Sequence, residues 1–396
     1  MLGSIYTGLS GMNAFSRGLQ TISNNVANLN TPGFKASATA FADTYSYGGG
    51  GLTYGPDTQA GENGNGVKFT GAQIDFRQGD LRQTGGDLDL GIQGSGFLVM
   101  LKGDQTLYTR TGQFTVDSDG FVSRQESGEH LGILDDQGRA VSLNIDAKRT
   151  SPPTVTTKVT FADNLSSSTS TATVADIAVY DSRGGKHVWS AKFDRSASTS
   201  GDWTVTVTDD KGNTIGTQTL KFIGSTVDPA ADTLTFESAV DGADKLSVVF
   251  DFSKNVTSFS AGTASTLRAA KVDGNAPGAL TGVTVDADGK VKLSYANGKT
   301  ELAGSVALAD FRDPQDLRRI GGGLYEYAGK GERRLAASGS DGIGRIVSRE
   351  LESANVDLSN EFGNLILIQR GFQASSQVVS VTNDMIQQLF GIRGQG

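Results

Sequence analysis

A seven-residue apolar repeat near the C-terminus constrains the fold of this sequence more than any other feature. It runs through residues 358–393, a span without proline, and comprises Leu358, Leu365, Phe372, Val379 and Ile386. A second apolar series flanks it at Phe362, Ile368, Leu389 and Phe390. Such a heptad repeat is typical of a helix that packs along another helix. A helix of about 50 Å, at 1.5 Å per residue, needs a partner helix from this chain or from another copy. Asp357 or Ser359 can cap its N-terminus.

The first 30 residues carry a matching pattern. Two apolar series with the same spacing occupy them, namely Ile5, Met12, Leu19 and Val26, then Phe15, Ile22 and Leu29, with Leu9 beside the first series. Four interspersed glycines each lower helix stability by about 1 kcal/mol relative to alanine, so this helix is weak alone but can pack closely. Pro32 ends it, because the residue before a proline avoids the α region. The pattern leaves two interpretations open, namely helices that cap a globular domain or helices that serve assembly.

Composition excludes several classes of function. The 396 residues include 53 glycines and no cysteine, so the chain has no disulfides, thiol catalysis or zinc–cysteine sites. The formal net charge of −8 argues against nucleic acid as a partner. The N-terminus lacks a basic region and a continuous apolar core, and no run of 18 apolar residues occurs. We therefore expect neither a secretory signal peptide nor a transmembrane helix. We expect an extracellular structural protein with a dedicated export route.

The middle of the chain has the pattern of β structure. From Val67 onward, short apolar–polar alternations are separated by one turn type, Asp-x-x-Gly, at 117–120, 135–138, 181–184, 209–212 and 286–289. Aspartate at the first position accepts hydrogen bonds from the turn backbone, and glycine at the fourth adopts positive φ. A calcium loop would need glutamate at its twelfth position, where these loops have Gly128 (from Asp117) and Asn297 (from Asp286). The segments therefore predict hairpin turns.

These patterns predict a mainly β fold with terminal α-helices and two all-β domains. The predicted division has four parts: a terminal helical coiled-coil domain (1–30 and 358–396), extended connecting segments (31–66 and 341–357), an inner β domain split in sequence (67–145 and 263–340), and an inserted outer β domain (146–262). Within the connecting segments, the glycine-rich stretch 44–66 has no periodic apolar pattern and predicts a long loop or linker. Trp189 and Trp203 are the expected core residues of the outer domain.

A basic run lies between residues 318 and 349. Seven cationic residues share it with only three acidic ones, and they are Arg318, Arg319, Lys330, Arg333, Arg334, Arg345 and Arg349. The run forms either a salt-bridged, solvated face or a contact with an acidic neighbouring subunit.

No arrangement of residues in the sequence indicates catalysis. His130 and His187 are far apart and lack flanking ligands, and no catalytic or phosphate-binding motif occurs. Asp87 and Asp89 could form a glycosidase dyad, but only their proximity supports it. We expect no enzyme activity, no metal and no cofactor.

The two ends of the chain resemble a known family. Residues 24–35, which include Asn24, Asn28, Thr31, Pro32, Gly33, Phe34 and Lys35, resemble the N-terminal motif of bacterial flagellar axial proteins, the rod and hook family. Residues 352–359, with Asn355 and Asp357, resemble the matching C-terminal motif, and 87–97 and 108–114 are similar to the family's β domain. Gly371 departs from the pattern, where a bulkier residue precedes the aromatic one, and we expect it to loosen helix packing locally. The segment 146–262 lies where hook-type members carry an extra domain, whereas distal rod members are shorter.

The resemblance implies a tubular homopolymer outside the cell, in the flagellar hook. Paired terminal helices would line an inner channel, the β domains would point outward, and the tube would transmit torque from rod to filament as a flexible universal joint. The implied partners are identical subunits, the distal rod protein, the hook–filament junction protein, the hook cap and the type III export apparatus, with no nucleic acid or membrane. Both chain ends should be disordered in the free subunit, because their apolar stripes lack neighbours.

Two alternatives remain open from the sequence. A rod or junction protein of the same family would have a single β domain. A secreted β-rich adhesin or carbohydrate-active protein would be a monomer with ordered ends, and it would bind or hydrolyse sugars.

Replacing Leu365 and Phe372 together with aspartate should abolish polymerisation, because two charges would then lie in the apolar stripe of the C-terminal helix. The β structure within 67–340 should still fold, as measured by circular dichroism, while electron microscopy scores the tubes. Normal tube formation by this variant would contradict the assembly role of the stripe.

Overall fold

The computed structural model describes residues 2–46, 63–125, 127–199, 201–240, 242–262, 264–340 and 342–393. In this part of the chain the fold is mainly β, with one long helix towards each end. The residues group into two compact units. Unit 1 comprises Met1–Ile145, Thr284–Lys292 and Leu302–Gly396, and unit 2 comprises Asp146–Val283 and Leu293–Glu301.

The helices are α1 (Leu2–Ala27) and α2 (Leu358–Arg393), with single 3-10 turns at Asp146–Lys148 and Pro314–Asp316. The strands, in chain order, are β1 (Ser37–Ser46), β2 (Asn63–Ile74), β3 (Leu81–Gln83), β4 (Asp89–Gln93), β5 (Phe97–Lys102), β6 (Gln105–Thr109), β7 (Thr111–Val116), β8 (Val122–Arg124), β9 (His130–Leu134), β10 (Ala140–Ser142), β11 (Thr150–Ser151), β12 (Lys158–Asn164), β13 (Thr171–Tyr180), β14 (Lys186–Arg195), β15 (Asp202–Thr208), β16 (Thr214–Ile223), β17 (Thr226–Val227), β18 (Thr233–Ser238), β19 (Leu246–Asp251), β20 (Val256–Thr257), β21 (Arg268–Val272), β22 (Gly278–Val285), β23 (Lys290–Tyr295), β24 (Thr300–Val306), β25 (Leu308–Phe311), β26 (Leu317–Gly321), β27 (Leu324–Tyr327), β28 (Arg333–Ala336), β29 (Arg345–Ser348) and β30 (Glu350–Glu352).

A long antiparallel hairpin, β1–β2, occupies part of the segment that we predicted to be an extended connection. Ser37 pairs with Ile74 and Phe41 pairs with Phe69, so residues up to 46 and from 63 are strand. The remainder of the predicted linker, 47–62, lies outside the described residues. The strands escaped prediction because few large apolar side chains mark them. A two-stranded hairpin is marginally stable alone, and here α1 supports it, with the Phe15 and Phe41 ring centroids 5.9 Å apart.

The second predicted connection, 341–357, also differs from expectation. Its middle part forms β29, which pairs antiparallel with β4, and β30, which pairs antiparallel with β3. Ile346 and Leu351 are buried, but the arginines and serines around them hide the alternating pattern. The C-terminal segment is therefore part of the inner β structure before α2 begins.

The inner β structure of unit 1 has its own aromatic core. Buried Phe97 and Tyr108 come from β5 and β6, and buried Phe311 and Tyr325 come from β25 and β27. The rings of Tyr108 and Phe311 meet edge to face at 4.8 Å, a favourable geometry for aromatic pairs. Strands distant in sequence therefore share one core.

Unit 2 closes around a separate core. Trp189 and Trp203 are both 1% exposed, as predicted, and they lie among the buried residues of β12–β19. The unit extends past residue 262, where we ended it, because β21 pairs antiparallel with β12. The four-part division of the chain is otherwise still a prediction.

All five Asp-x-x-Gly segments form turns. In each, the glycine N–H donates to the aspartate carbonyl at 2.9–3.2 Å, and the glycine φ lies between +73° and +85°. Each aspartate carboxylate also accepts the backbone N–H two residues on, at 2.8–3.0 Å. At Asp135 these hydrogen bonds, above all the one from the Arg139 backbone, hold the pKa below its ordinary value. The aspartates therefore stabilise hairpins, as the sequence predicts.

The core of unit 2 can be tested with one substitution at two sites. Phe250→Ala should destabilise unit 2 by about 3–5 kcal/mol, because the fully buried ring packs against Phe161 and Phe236, both at 5.0 Å. Phe259→Ala should change stability by less than about 0.5 kcal/mol, because that ring is 56% exposed. Urea unfolding followed by tryptophan fluorescence measures both, since the two tryptophans lie in unit 2. Equal losses at the two sites would contradict this assignment of the core.

Candidate assembly helices and the tail junction

The two terminal helices pack against each other antiparallel. Gly8 of α1 faces Val379 of α2, whereas Gly18 faces Ile368, so the contacts run in opposite directions along the two helices. Asn25, near the end of α1, donates to Glu361 in the first turn of α2 at 2.8 Å. The partner helix that the heptad pattern requires is therefore present in the same chain.

Most of the predicted apolar positions lie in or beside this helix pair. Ile22 and Ile368 are buried. The half-buried positions are Ile5, Met12, Leu19, Val26, Leu358, Leu365, Phe372, Val379 and Ile386. Leu9, Phe362 and Leu389 are more than half exposed. Of the heptad residues of α2, Val379 lies against Gly8 of α1. The helix pair leaves a large apolar area uncovered.

Glycines set the close approach of the helices. A β-carbon at Gly8 would lie 2.8 Å from Val379 Cγ2, and one at Gly11 would lie 2.6 Å from Ser375 Oγ. We expected Gly371 to loosen the packing, and the structure contradicts this. The Phe15 ring lies directly over Gly371, where a β-carbon would be 2.6 Å from Cζ. The missing side chain makes room for an aromatic ring and so permits tighter packing.

Helix α2 has two further faces besides the one on α1. An exposed apolar face follows helical spacing through Leu367, Ala374, Val378, Val381, Met385 and Leu389. An exposed polar face follows the same spacing through Gln369, Gln373, Ser376, Ser380, Asn383 and Gln387, with the charged Asp384 beside Ser380 and Gln387. Leu367 is 68% exposed and Met385 is 53% exposed. A contiguous exposed apolar stripe of this kind indicates a protein interaction surface.

The segments that join the helices to the β structure meet at a buried polar cluster, the tail junction, formed by Lys35, Arg110, Glu352 and Asn355. Lys35 Nζ lies 2.6 Å from Glu352 Oε1, and Arg110 Nε lies 3.0 Å from Glu352 Oε2. The side chains of Lys35 and Glu352 are fully buried and that of Arg110 is 4% exposed. Burial lowers the pKa of Lys35, and the Glu352 carboxylate opposes that shift. The lysine is therefore buried beside a carboxylate that favours its charged form.

Backbone groups complete the tail junction. Lys35 Nζ also donates to the Arg77 carbonyl at 2.6 Å, and the Gly79 N–H donates to Glu352 Oε1 at 2.8 Å. The Asn355 carboxamide accepts from the Ala36 N–H at 2.7 Å, and it donates to the Asp75 carbonyl at 2.8 Å. The C-terminal segment is thereby tied to the segments that flank the β1–β2 hairpin.

The other motif residues shape the chain on either side of the junction. Asn28 donates to the Asn24 carbonyl at 2.9 Å, and Thr31 donates to Asn28 Oδ1 at 3.2 Å, which forms the turn after α1. Pro32 follows that turn and is exposed. At the other end, Asp357 caps α2 by accepting from the Ser359 N–H at 2.8 Å.

Gly33 and Phe34 meet the inner β structure. Gly33 has φ +69°, and a β-carbon there would lie 2.7 Å from Thr111 Cγ2. The Arg319 guanidinium stacks over the buried Phe34 ring at 4.6 Å from its centroid and donates to the Lys35 carbonyl. The glycine and the aromatic residue of the motif are thus needed for contacts with the inner β structure rather than for helix formation.

Three residues at the helix pair and the tail junction were not among the predicted site residues. Asn25 is 1% exposed and bonds both Ser37 backbone groups as well as Glu361. Arg110 and Glu352 lie inside the motifs that carry the resemblance, but nothing in one sequence pairs them across 242 positions. A signal was present, since a charged residue within an otherwise apolar or small-residue stretch often has a buried partner.

The basic run favours the first of its two interpretations. Arg318 pairs with Glu326 at 2.6 Å, Arg334 pairs with Asp310 at 3.3 Å, and Arg349 pairs with Asp87. Arg333 donates to the Tyr108 hydroxyl at 2.8 Å. The run therefore bonds largely within the chain, and Asp87 is a salt-bridge partner rather than a member of an acid pair.

Other kinds of site receive no support from the described residues. Neither helix in them combines the length and apolar character that a bilayer span requires. No cluster of three or more His, Asp or Glu side chains in the same residues is placed to hold a metal ion.

The buried pair at the tail junction can be tested against an exposed pair nearby. Lys35→Met should destabilise unit 1 by about 3–5 kcal/mol, because it removes a partner from a buried carboxylate. Arg77→Met should cost less than about 1 kcal/mol, because the Arg77 side chain is 84% exposed in its pair with Asp75. Thermal unfolding by far-ultraviolet circular dichroism measures the loss, and tryptophan fluorescence of unit 2 should not change.

A double variant separates the ion pair from other effects of the substitution. Lys35→Met with Glu352→Gln should cost less than the sum of the two single changes by at least about 1 kcal/mol, because the partners are in contact. Strict additivity would show that the two side chains do not stabilise each other.

Comparison with known proteins matches the chain to flagellar families along its length. Residues 5–35 match the flagella basal body rod protein family, and 347–392 match the C-terminal family of flagellar basal body rod FlgEFG proteins. Residues 91–161 match the D1 domain of flagellar hook proteins FlgE/F/G, and 143–313 match the D2 domain of flagellar basal body protein FlaE. The matched ends contain most of α1, nearly all of α2, and Lys35, Glu352 and Asn355 of the tail junction.

Curated relatives match over nearly their full lengths. The flagellar hook protein FlgE of Treponema pallidum is 29% identical, with 99% of this chain and 100% of the relative covered. The FlgE protein of Escherichia coli is 28% identical, with 97% and 98% covered. A crystal structure of Helicobacter pylori flagellar hook protein FlgE2 aligns with a TM-score of 0.48 and 16% identity, over 69% of this chain and 100% of that one. The chain belongs to the flagellar rod and hook protein family.

Proposed function

We infer that this chain is a structural subunit of the flagellar hook, which assembles from identical copies into a tube. Its relatives with that name match it from end to end. The match at 143–313 to a D2 domain favours the hook over the shorter rod proteins, which lack the inserted segment. The subunit has a structural role, and we propose no catalytic one.

The observation that carries this function is the exposed apolar face of α2. Helix α1 covers only one side of α2, and the side that contains Leu367, Val381 and Met385 remains in water in a single chain. Burial of apolar area stabilises by about 25 cal/mol per Å², so covering this stripe favours association. Tyr6 and Leu9 of α1 are also more than half exposed. The terminal helices of neighbouring copies supply matching apolar surface.

The three faces of α2 suit a tube wall. One face packs on α1 of the same subunit, the apolar face packs on neighbours, and the polar face is left for water. Glutamine, serine and asparagine on that face carry no charge, so these side chains add no repulsion between copies that line a water-filled channel. The inner and outer β domains lie outside the helical wall in this arrangement.

The same arrangement accounts for the mechanical role and the expected partners. Firm helix packing inside and polar β surfaces outside let the tube bend while it passes torque from rod to filament, as a universal joint. The subunit would meet the distal rod protein at one end and the hook–filament junction protein at the other. Growth would require the hook cap and the type III export apparatus, and it places the assembled protein outside the cell.

Serine substitutions on the two exposed faces of α2 test this function. Leu367→Ser with Met385→Ser should raise the critical concentration for assembly at least tenfold, because two large apolar side chains leave the subunit contact, and tenfold corresponds to about 1.4 kcal/mol. Gln373→Ser with Gln387→Ser is the matched control, with exposed residues of the same helix and the same new side chain. Sedimentation and electron microscopy measure assembly. Equal behaviour of the two variants would contradict assembly through the apolar face.

A further inference from the structure

The contact between Phe15 and Gly371 differs from the other contacts of the helix pair, because an aromatic ring occupies the space of a missing side chain. A β-carbon at Gly371 would lie 2.6 Å from Phe15 Cζ and 2.9 Å from both Cε atoms. Real β-carbons essentially never approach heavy atoms within 3.0 Å. This ring position therefore requires glycine at 371.

Phe15 contacts the β1–β2 hairpin as well as α2. Its ring lies 5.9 Å from that of Phe41 on β1, which lies 6.1 Å from that of Phe69 on β2. Phe41 also approaches Gly18, where a β-carbon would lie 3.3 Å from Cζ. The ring is thus held between the hairpin and α2, and a side chain at 371 would have to displace this aromatic row.

Glycine at 371 works against helix formation, so its presence needs a reason. Glycine in a helix interior is less favourable than alanine, by a factor of about five in the equilibrium constant. Gly363 in the same helix has no heavy atom within 4 Å of a built β-carbon. The two glycines therefore have the same local cost, but only Gly371 has a ring against it.

We propose that the Phe15 ring and the space at Gly371 set the axial register of α1 on α2. A slide by one turn would place Phe15 against Leu367 or Ser375 instead, and both carry side chains. The present register is thus the one that accommodates the ring.

The register fixes which residues of α2 lie opposite α1 and which are left exposed for neighbouring copies. A C-terminal helix with a side chain at 371 cannot accept the Phe15 ring in this register. The consequence for assembly rests on the proposed function, whereas the register is a property of a single chain.

The register can be measured without assembly, because the chain has no native cysteine. A β-carbon at Gly11 would lie 3.3 Å from Ser375 Cβ, close to the separation in disulfides. Gly11→Cys with Ser375→Cys should therefore cross-link within the chain on oxidation. In that background Gly371→Leu should reduce the yield at least fivefold, and Phe15→Ala added to Gly371→Leu should restore it to within twofold. A missing cross-link in the parent pair, or no recovery in the combined variant, overturns the proposal.

Alanine substitutions separate the fit of the Phe15 ring from helix propensity. Gly363→Ala should lower the critical concentration for assembly by up to about fivefold through propensity alone. Gly371→Ala should raise it, because the new methyl group meets the ring. If both variants lower the critical concentration equally, the proposed fit of the Phe15 ring to Gly371 is refuted. If the native chain forms no tubes while the cross-link behaves as expected, the register assignment holds and the proposed hook function fails.

Discussion

The arrangement of unit 1 depends on the ion pairs and the hydrogen bond that the buried Glu352 carboxylate accepts. Its donors are Lys35 from the N-terminal motif, Arg110 from the turn between β6 and β7, and the Gly79 N–H that follows the hairpin. A carboxylate without solvent needs all its partners, because the loss of one leaves an uncompensated charge. The segments that lead to both tails are therefore fixed to the same point of the inner β structure.

The β structure and the terminal helices differ in how much of their apolar surface one chain buries. Unit 2 buries Trp189, Trp203 and Phe250 almost fully within itself, so it needs no other molecule to cover its core. The helix pair buries few residues well and leaves Leu367 and Phe390 about 70% exposed. The β core of unit 2 is thus covered within one subunit, whereas the helices expose apolar surface that the proposed assembly would cover. This division matches a subunit that folds outside a tube and joins it through its tails.

Features with strong local periodicity could be predicted from the sequence, whereas pairings distant in sequence could not. The heptad pattern predicts the length of α2, and the two candidate caps, Asp357 and Ser359, predict its start to within two residues, because both signals depend on neighbours along the chain. The hairpin β1–β2 was missed because its strands are rich in alanine, threonine and glycine, and because its support comes from Phe15 on another element. The role of Gly371 was misjudged for the same reason. Its effect depends on a ring more than 350 positions away in the sequence.

The tail junction lies at one end of the helix pair, so helical structure can extend from that end towards the other. The polar contacts that fix them lie at the junction end, where Asn25 bonds Glu361 and Asp357 caps α2. Glu361 at the junction end of α2 is half-buried in a single chain, and this burial raises its pKa. Towards the other end, α2 presents Met385 and Leu389 to water, and α1 carries glycines that weaken it. Because helix nucleation is costly and growth proceeds from an existing turn, the anchored ends provide that turn. In the proposed tube, the far ends would gain stability from packing against other copies.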